Sequence, residues 1–90
     1  MIKATRPISW IKAARKAFED FPTHVQKDAL RSLTVAAEGH MDDHVKPLKG
    51  FDDGIMEILL WHQGDAFRVI YAVKIGDAIW VIHAFQKKST

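Results

Sequence analysis

The spacing of the apolar residues changes once along this chain, and that change limits what it can fold into. From Lys12 onward, Ala14, Ala17, Phe18 and Phe21 recur at intervals of three and four, which places them on one face of a helix. Pro22 ends that helix and suits the first turn of another. Val25, Ala29, Leu33, Ala36 and Ala37 then mark the inner face of a second helix, with Gln26, Lys27, Asp28 and Arg31 outside. Gly39 is its natural stop, because glycine accepts the left-handed conformation that follows a helix. Beyond the polar stretch 40–53, which holds Pro47 and Gly50, the helical spacing is gone. Ile55–Trp61, Ala66–Lys74 and Ala78–Gln86 are rich in Ile, Val and aromatic residues. Gln63-Gly64-Asp65 and Gly76-Asp77 separate them, both good tight-turn sequences. Pro7-Ile8-Ser9-Trp10-Ile11 reads as a short strand or a lead-in. The fold class expected is α+β, an N-terminal helical hairpin packed on a small antiparallel β-meander, with residues 1–90 forming a single domain.

Composition removes whole classes of function. A chain of 90 residues, 48% hydrophobic and 27% charged, makes one globular domain with a small core. It has no cysteine, which excludes disulfides, thiolate metal sites and a Cys nucleophile together. No segment approaches the roughly 18 to 20 apolar residues of a membrane span, and the start lacks the apolar core of a signal peptide. A cytoplasmic protein with no membrane partner is expected. The net charge is only +2, but its distribution is uneven. Lys3, Arg6, Lys12, Arg15 and Lys16 precede the first acid, Glu19, and Lys87 and Lys88 stand at the other end. The middle carries Glu38, Asp42, Asp43, Asp52, Asp53 and Glu57, interrupted by Lys46 and Lys49. Two basic ends that meet in space form a patch able to attract phosphate backbones.

Turn lengths suggest a register. A two-residue turn at Gly76-Asp77 sets Ile70 opposite His83, Arg68 opposite Phe85, Tyr71 opposite Ile82 and Val73 opposite Trp80. A two-residue turn at Gln63-Gly64 sets Glu57 opposite Ile70. One sheet face then carries Glu57, Arg68, His83 and Lys87 among Leu59, Ile70 and Phe85. The other carries Phe67, Val69, Tyr71, Val73, Trp80, Ile82 and Ala84 toward the helices. A cation in mid-strand is costly unless it reaches water, a partner or a ligand. Arg68 and Lys87 therefore either grip a phosphate together, or Arg68 pairs with Glu57 beside a solvated strand end. Tyr71 reads as core. Trp61 reads as a packing residue lying along the surface, with base stacking as its alternative.

The remaining motifs are weaker. His40-Met-Asp-Asp-His44 has the spacing of a helical zinc pair, but Gly39 before it and Pro47 after it argue against a helix, so no metal is expected. His24 and His62 read as surface residues. Lys46-Pro-Leu-Lys-Gly50 lacks the glycine spacing of a P-loop.

Several of these segments occur together in a pattern with precedent. Lys46-Pro-Leu-Lys-Gly-Phe51, Glu57-Ile58, Gly64-Asp-Ala-Phe-Arg-Val-Ile-Tyr71 and Ile82-His-Ala-Phe-Gln-Lys-Lys-Ser89, with Phe21-Pro22 and Val25-Gln26 ahead of them, resemble the phage-derived, HigB-like branch of the RelE superfamily. Those proteins are toxins of bacterial type II toxin–antitoxin modules. The resemblance implies an endoribonuclease that cleaves mRNA in the ribosomal A site, without metal or other cofactor, leaving a 2′,3′-cyclic phosphate and a 5′-hydroxyl. It also implies contacts with the bacterial ribosome and its rRNA, and silencing by a helix-turn-helix antitoxin. Such a reaction needs charge stabilisation at phosphorus and proton transfer at two oxygens. Arg68 and Lys87 are assigned to the phosphate with Lys88 as helper, His83 to acid or base work, and Glu57 to orienting Arg68 or acting as base. Lys46, Lys49, Arg15 and Lys16 are assigned to RNA or, for the N-terminal ones, to the antitoxin. The chain departs from the pattern in two places. Related sequences often carry further basic residues where it has Trp61 and Gln63, and they continue past the Lys-Lys-Ser motif, which here is followed only by Thr90. The alternative is a non-catalytic RNA- or protein-binding module on the same fold, such as a phage adaptor.

Overall fold

The computed structural model describes residues 5–50 and 53–87. In chain order the elements are β1 (Ile8–Trp10), α1 (Lys12–Glu19), α2 (Thr23–Ala37), β2 (Val45–Pro47), β3 (Ile55–His62), β4 (Asp65–Ala72) and β5 (Ile79–Lys87). All five strands join one sheet in the order β1-β5-β4-β3-β2. The sheet is mixed: β1 runs parallel to β5, and every other neighbouring pair is antiparallel.

The expected helical hairpin on a small antiparallel meander is therefore corrected. The molecule is a strand-rich, five-stranded mixed sheet with two helices. The helices do not make a unit of their own; α1 rests chiefly on β5 and α2 chiefly on β3. The physical reason lies at the two ends of the sheet. Extended Ile8–Trp10 adds to β5 through Ile79 N–H to Pro7 O at 2.8 Å and Ile11 N–H to Val81 O at 2.9 Å. On the far edge, Val45–Pro47 adds to β3, and Leu59 N–H donates to His44 O at 3.0 Å. Backbone groups at an open sheet edge gain partners this way.

The helix boundaries follow local chemistry. Pro22 caps α2 from outside, and at the end of α1 Asp20 N–H donates to Ala17 O and Phe21 N–H to Phe18 O. At the far end of α2, Gly39 has φ +92°, Gly39 N–H donates to Ala36 O and His40 N–H to Val35 O. That is a Schellman stop, as the sequence predicts.

The core lies between the helices and one sheet face. Phe18, Phe21, Val25 and Leu33 pack on Ile58, Phe67, Val69, Tyr71, Ile79 and Val81, all buried. Trp10, Phe18, Phe21 and Phe67 form a chain of ring contacts at 4.8, 5.6 and 5.0 Å, which ties β1, α1, the link between the helices and β4 together. Each such side chain contributes roughly 1.5–3 kcal/mol when fully buried.

The β3–β4 turn forms as expected. Gln63 and Gly64 both have positive φ (+51° and +84°), the geometry of a two-residue hairpin turn, and Glu57 pairs with Ile70. The β4–β5 connection does not. It is a loop over residues 73–78, so the strands end at Ala72 and start at Ile79 rather than at Lys74 and Ala78. Ile70 still meets His83 and Arg68 meets Phe85, but the register then shifts, with Tyr71 opposite Val81 and Ala72 opposite Trp80. This β-bulge leaves Ile82 as the extra residue on β5. Ile82 accordingly turns to the open face of the sheet, and Trp80 is only half-buried, outside the core expected to hold both. Arg6 supports the loop from below, donating to the carbonyls of Val73 (2.7 Å), Ala78 (2.9 Å) and Asp77 (3.0 Å).

Candidate nucleic-acid interface on the open sheet face

The face of the sheet turned away from the helices carries its polar side chains in rungs, because period-2 alternation and cross-strand register line them up. Lys46, Glu57, Ile70 and His83 occupy one rung across β2, β3, β4 and β5. Leu59, Arg68 and Phe85 make the next, and Trp61, Ala66 and Lys87 the third. Neighbouring rungs are about 6.7 Å apart along the strands.

Glu57 is the electrostatic centre. Its side chain is only 3% exposed, yet one carboxylate oxygen accepts from Arg68 Nη1 at 2.7 Å and the other lies 3.8 Å from Lys46 Nζ. A carboxylate so deeply placed needs opposite charge beside it, and these two cations supply it from adjacent strands. The Glu57–Arg68 pair is diagonal across β3 and β4. Both alternatives drawn from the sequence thus meet in one arrangement: Arg68 is paired with Glu57, and it remains on the face that would hold a phosphate. Arg68 is 29% exposed, and its Nε is buried without a hydrogen-bond partner.

Beside these charges lies an apolar groove of about 440 Å³, lined by Leu48, Ile55, Ile70, Ile82 and the rings of His83 and Phe85, with Glu57 at its edge. The two rings lie 4.8 Å apart, tilted by 35°. The bulge creates part of this groove by delivering Ile82 to the open face.

Of the predicted site residues, Glu57, Arg68 and His83 share this face in adjacent rungs, and Lys46 joins them from β2. Lys87 is on the same face but two rungs from His83, exposed, opposite Ala66. Lys49 is on the exposed turn after β2. Arg15 and Lys16 belong to α1, on the other side of the sheet, and Arg15 pairs with Glu19 at 3.4 Å. The two basic ends of the chain therefore do not merge around Arg68. Lys88 lies outside the described residues.

Other expectations resolve by burial. Tyr71 is fully buried on the helix face, and its hydroxyl has no partner. Burial, and secondarily the charge of Asp42, pushes its pKa up to about 12. His24 is exposed beside Asp28, whereas His62 is half-buried between the rings of His24 and Phe67. Among the described residues no group of three His, Asp or Glu is arranged to hold a metal. Asp42 instead accepts from Ser32 Oγ at 2.6 Å and from His44 N–H at 3.0 Å. Trp61 is 69% exposed, so little of its indole is covered by packing. Sequence reasoning missed two structural roles. Neither Arg6 as the support of the β4–β5 loop nor Ser32–Asp42 as the link from α2 to the segment before β2 leaves a local pattern in the chain.

Residues 16–90 match the family model described as phage-derived protein Gp49-like (DUF891). The chain belongs to that family. The Gp49-like family is RelE-like and toxin-like. No curated protein and no solved structure matches the chain significantly. Among the described residues of this Gp49-like protein no helix is long and apolar enough to cross a membrane.

Proposed function

We propose that this protein is the toxin of a type II toxin–antitoxin module of the HigB-like kind, an endoribonuclease that cuts mRNA on the ribosome in the cytoplasm. The observation that carries the reading is the Lys46–Glu57–Arg68 cluster, set in an open sheet face beside His83 and an apolar groove. In the reaction, a ribose 2′-oxygen gives up its proton and attacks the adjacent phosphorus. The bond to the 5′-oxygen breaks, and that oxygen takes a proton. A 2′,3′-cyclic phosphate and a 5′-hydroxyl result. Arg68 and Lys46 stabilise the charge that builds on the phosphorane, with Lys87 engaging a neighbouring phosphate. Glu57 holds the two cations in place, which suits a positioning role better than that of a base, since both its oxygens face positive charge. His83, exposed in the same rung, moves the proton. A helix-turn-helix antitoxin is the partner that silences it.

Primer extension on a reporter mRNA translated in a purified bacterial system tests this. Discrete cuts within codons are expected with the protein present, absent when ribosomes are omitted and absent for the Arg68→Ala/Lys87→Ala variant. Intact mRNA with normal translation would reject it. A second reading, a non-catalytic binding module, draws on the same Glu57, which already neutralises two of the face's cations. Ribosome association without cleavage would favour that reading.

A further inference from the structure

We infer that Trp61 is a stacking platform for an unpaired nucleobase of the RNA strand held on this face. The inference rests on the reading of the face as an RNA site and adds to it a subsite that the charged cluster does not contain. Trp61 is the most exposed large hydrophobic side chain among the described residues, at 69%. A single exposed apolar side chain is ordinary on a protein surface; what marks Trp61 is its place on the same sheet face as Arg68 and Lys87. Its rung explains what fits there. Trp61 pairs with Ala66, and Ala66 pairs with Lys87, so the smallest side chain of the rung stands between a ring and an ammonium. Arg68 is one rung away. Ala66 is itself only 3% exposed and forms the floor, so a planar group lies against the solvent side of the indole while its phosphates meet Lys87 and Arg68. A nucleotide has that combination of flat π-face and anionic link, and a protein surface would need carboxylates in the same spacing. Stacking does not require an edge-specific hydrogen bond, so the subsite accepts any base and favours purines through their larger face.

The test uses the full chain and a single-stranded 2′-O-methyl oligonucleotide, which cannot be cleaved, carrying 2-aminopurine. Fluorescence anisotropy reads affinity and 2-aminopurine quenching reads stacking. Trp61→Ala is expected to weaken binding roughly 5- to 150-fold and abolish quenching, leaving the salt dependence of affinity unchanged. Trp61→Phe should retain most of both. Arg68→Ala should instead lower the salt slope, by about 0.7 for the lost contact. Because Trp61 is exposed, its variants should keep the wild-type circular dichroism and melting temperature. Unchanged RNA affinity and quenching in Trp61→Ala, with Arg68→Ala weakened, would overturn the inference while leaving the RNA reading intact. So would unchanged RNA binding with lost capture of a purified helix-turn-helix partner, which would make Trp61 a protein contact. No binding by the wild-type protein overturns the inference too, and primer extension then judges the RNA reading separately.

Discussion

Tyr71 is the protein's sole tyrosine, so its ionisation can be read directly from tyrosinate absorbance. The folded-state pKa of about 12 lies above the model value of 10.0, because burial opposes the phenolate and Asp42 adds negative charge nearby. As pH rises, the unfolded chain loses this proton first. The stability tied to the neutral phenol is therefore complete below pH 10 and falls away between about 10 and 12; two units correspond to roughly 2–3 kcal/mol. Tyr71→Phe should remove this alkaline loss. At neutral pH it should be neutral or stabilising by up to about 1 kcal/mol, since the hydroxyl lacks a partner. It should also leave cleavage intact, and lost cleavage with an unchanged melting temperature would contradict the assignment of Tyr71 to the core. At Glu57 the charge has partners, Arg68 and Lys46. Glu57→Ala strands Arg68 and Lys46, but Arg68 retains access to water, so the cost should fall below that of a fully buried pair, about 1–3 kcal/mol. A double-mutant cycle with Arg68→Ala in chemical denaturation should show a coupling near 1 kcal/mol or more; additivity would mean the pair is not stabilising.

At the scale of elements, the β4–β5 connection depends on a residue far away in sequence. Arg6 donates three hydrogen bonds to carbonyls of residues 73, 77 and 78, and Ile79 N–H beside them bonds to Pro7 O. Arg6→Ala should cost about 2 kcal/mol, since charged donors are lost and half-buried carbonyls are left open. Hydrogen exchange should show the Ile79 amide opening faster, with the Gln63-Gly64 hairpin unaffected. Equal acceleration in both places would mean that Arg6 acts on global stability and not on this loop. The two hairpins also show what local sequence can decide. Gln63-Gly64 forms its expected turn because a two-residue connection admits few geometries, and Gly64 takes positive φ without strain. Gly76-Asp77 looks similar in sequence, yet here Arg6 and the parallel pairing of β1 hold the chain in a wider loop.

For the whole molecule, the pairing of β1 with β5 joins residues near opposite ends of the chain, Ile8 with Ile79. Contacts this distant in sequence close late, because loop entropy must be offset before they add stability. Ile8→Ala should therefore speed unfolding and leave the folding rate almost unchanged in stopped-flow measurements; a slowed folding arm would place β1 in the nucleus instead. The same long-range pairing is why the expected hairpin on a small meander is not the fold: the sheet is five-stranded and mixed. Both helices and the three long strands were legible, since apolar spacing, Pro22 and Gly39 are local signals. In the site, Glu57, Arg68 and His83 were legible on one face because the register holds from Gln63-Gly64 through Ile70 and His83. Trp80 and Ile82 were misplaced, since a one-residue bulge leaves no mark on an apolar run and reverses every face beyond it.

By itself the amino-acid sequence determined the alternation of helix and strand, the tight β3–β4 turn and the residue types able to meet a phosphate. Spacing and turn chemistry act between near neighbours, and the chain states them directly. Only the tertiary structure decided that β1 and β2 complete the sheet, that Lys46 reaches Glu57, that Arg15 and Lys16 stand on the far side and that Trp61 is open to solvent. Those outcomes depend on which backbone edges find partners and where one extra residue bulges, and such contacts between distant segments are settled only when the chain packs.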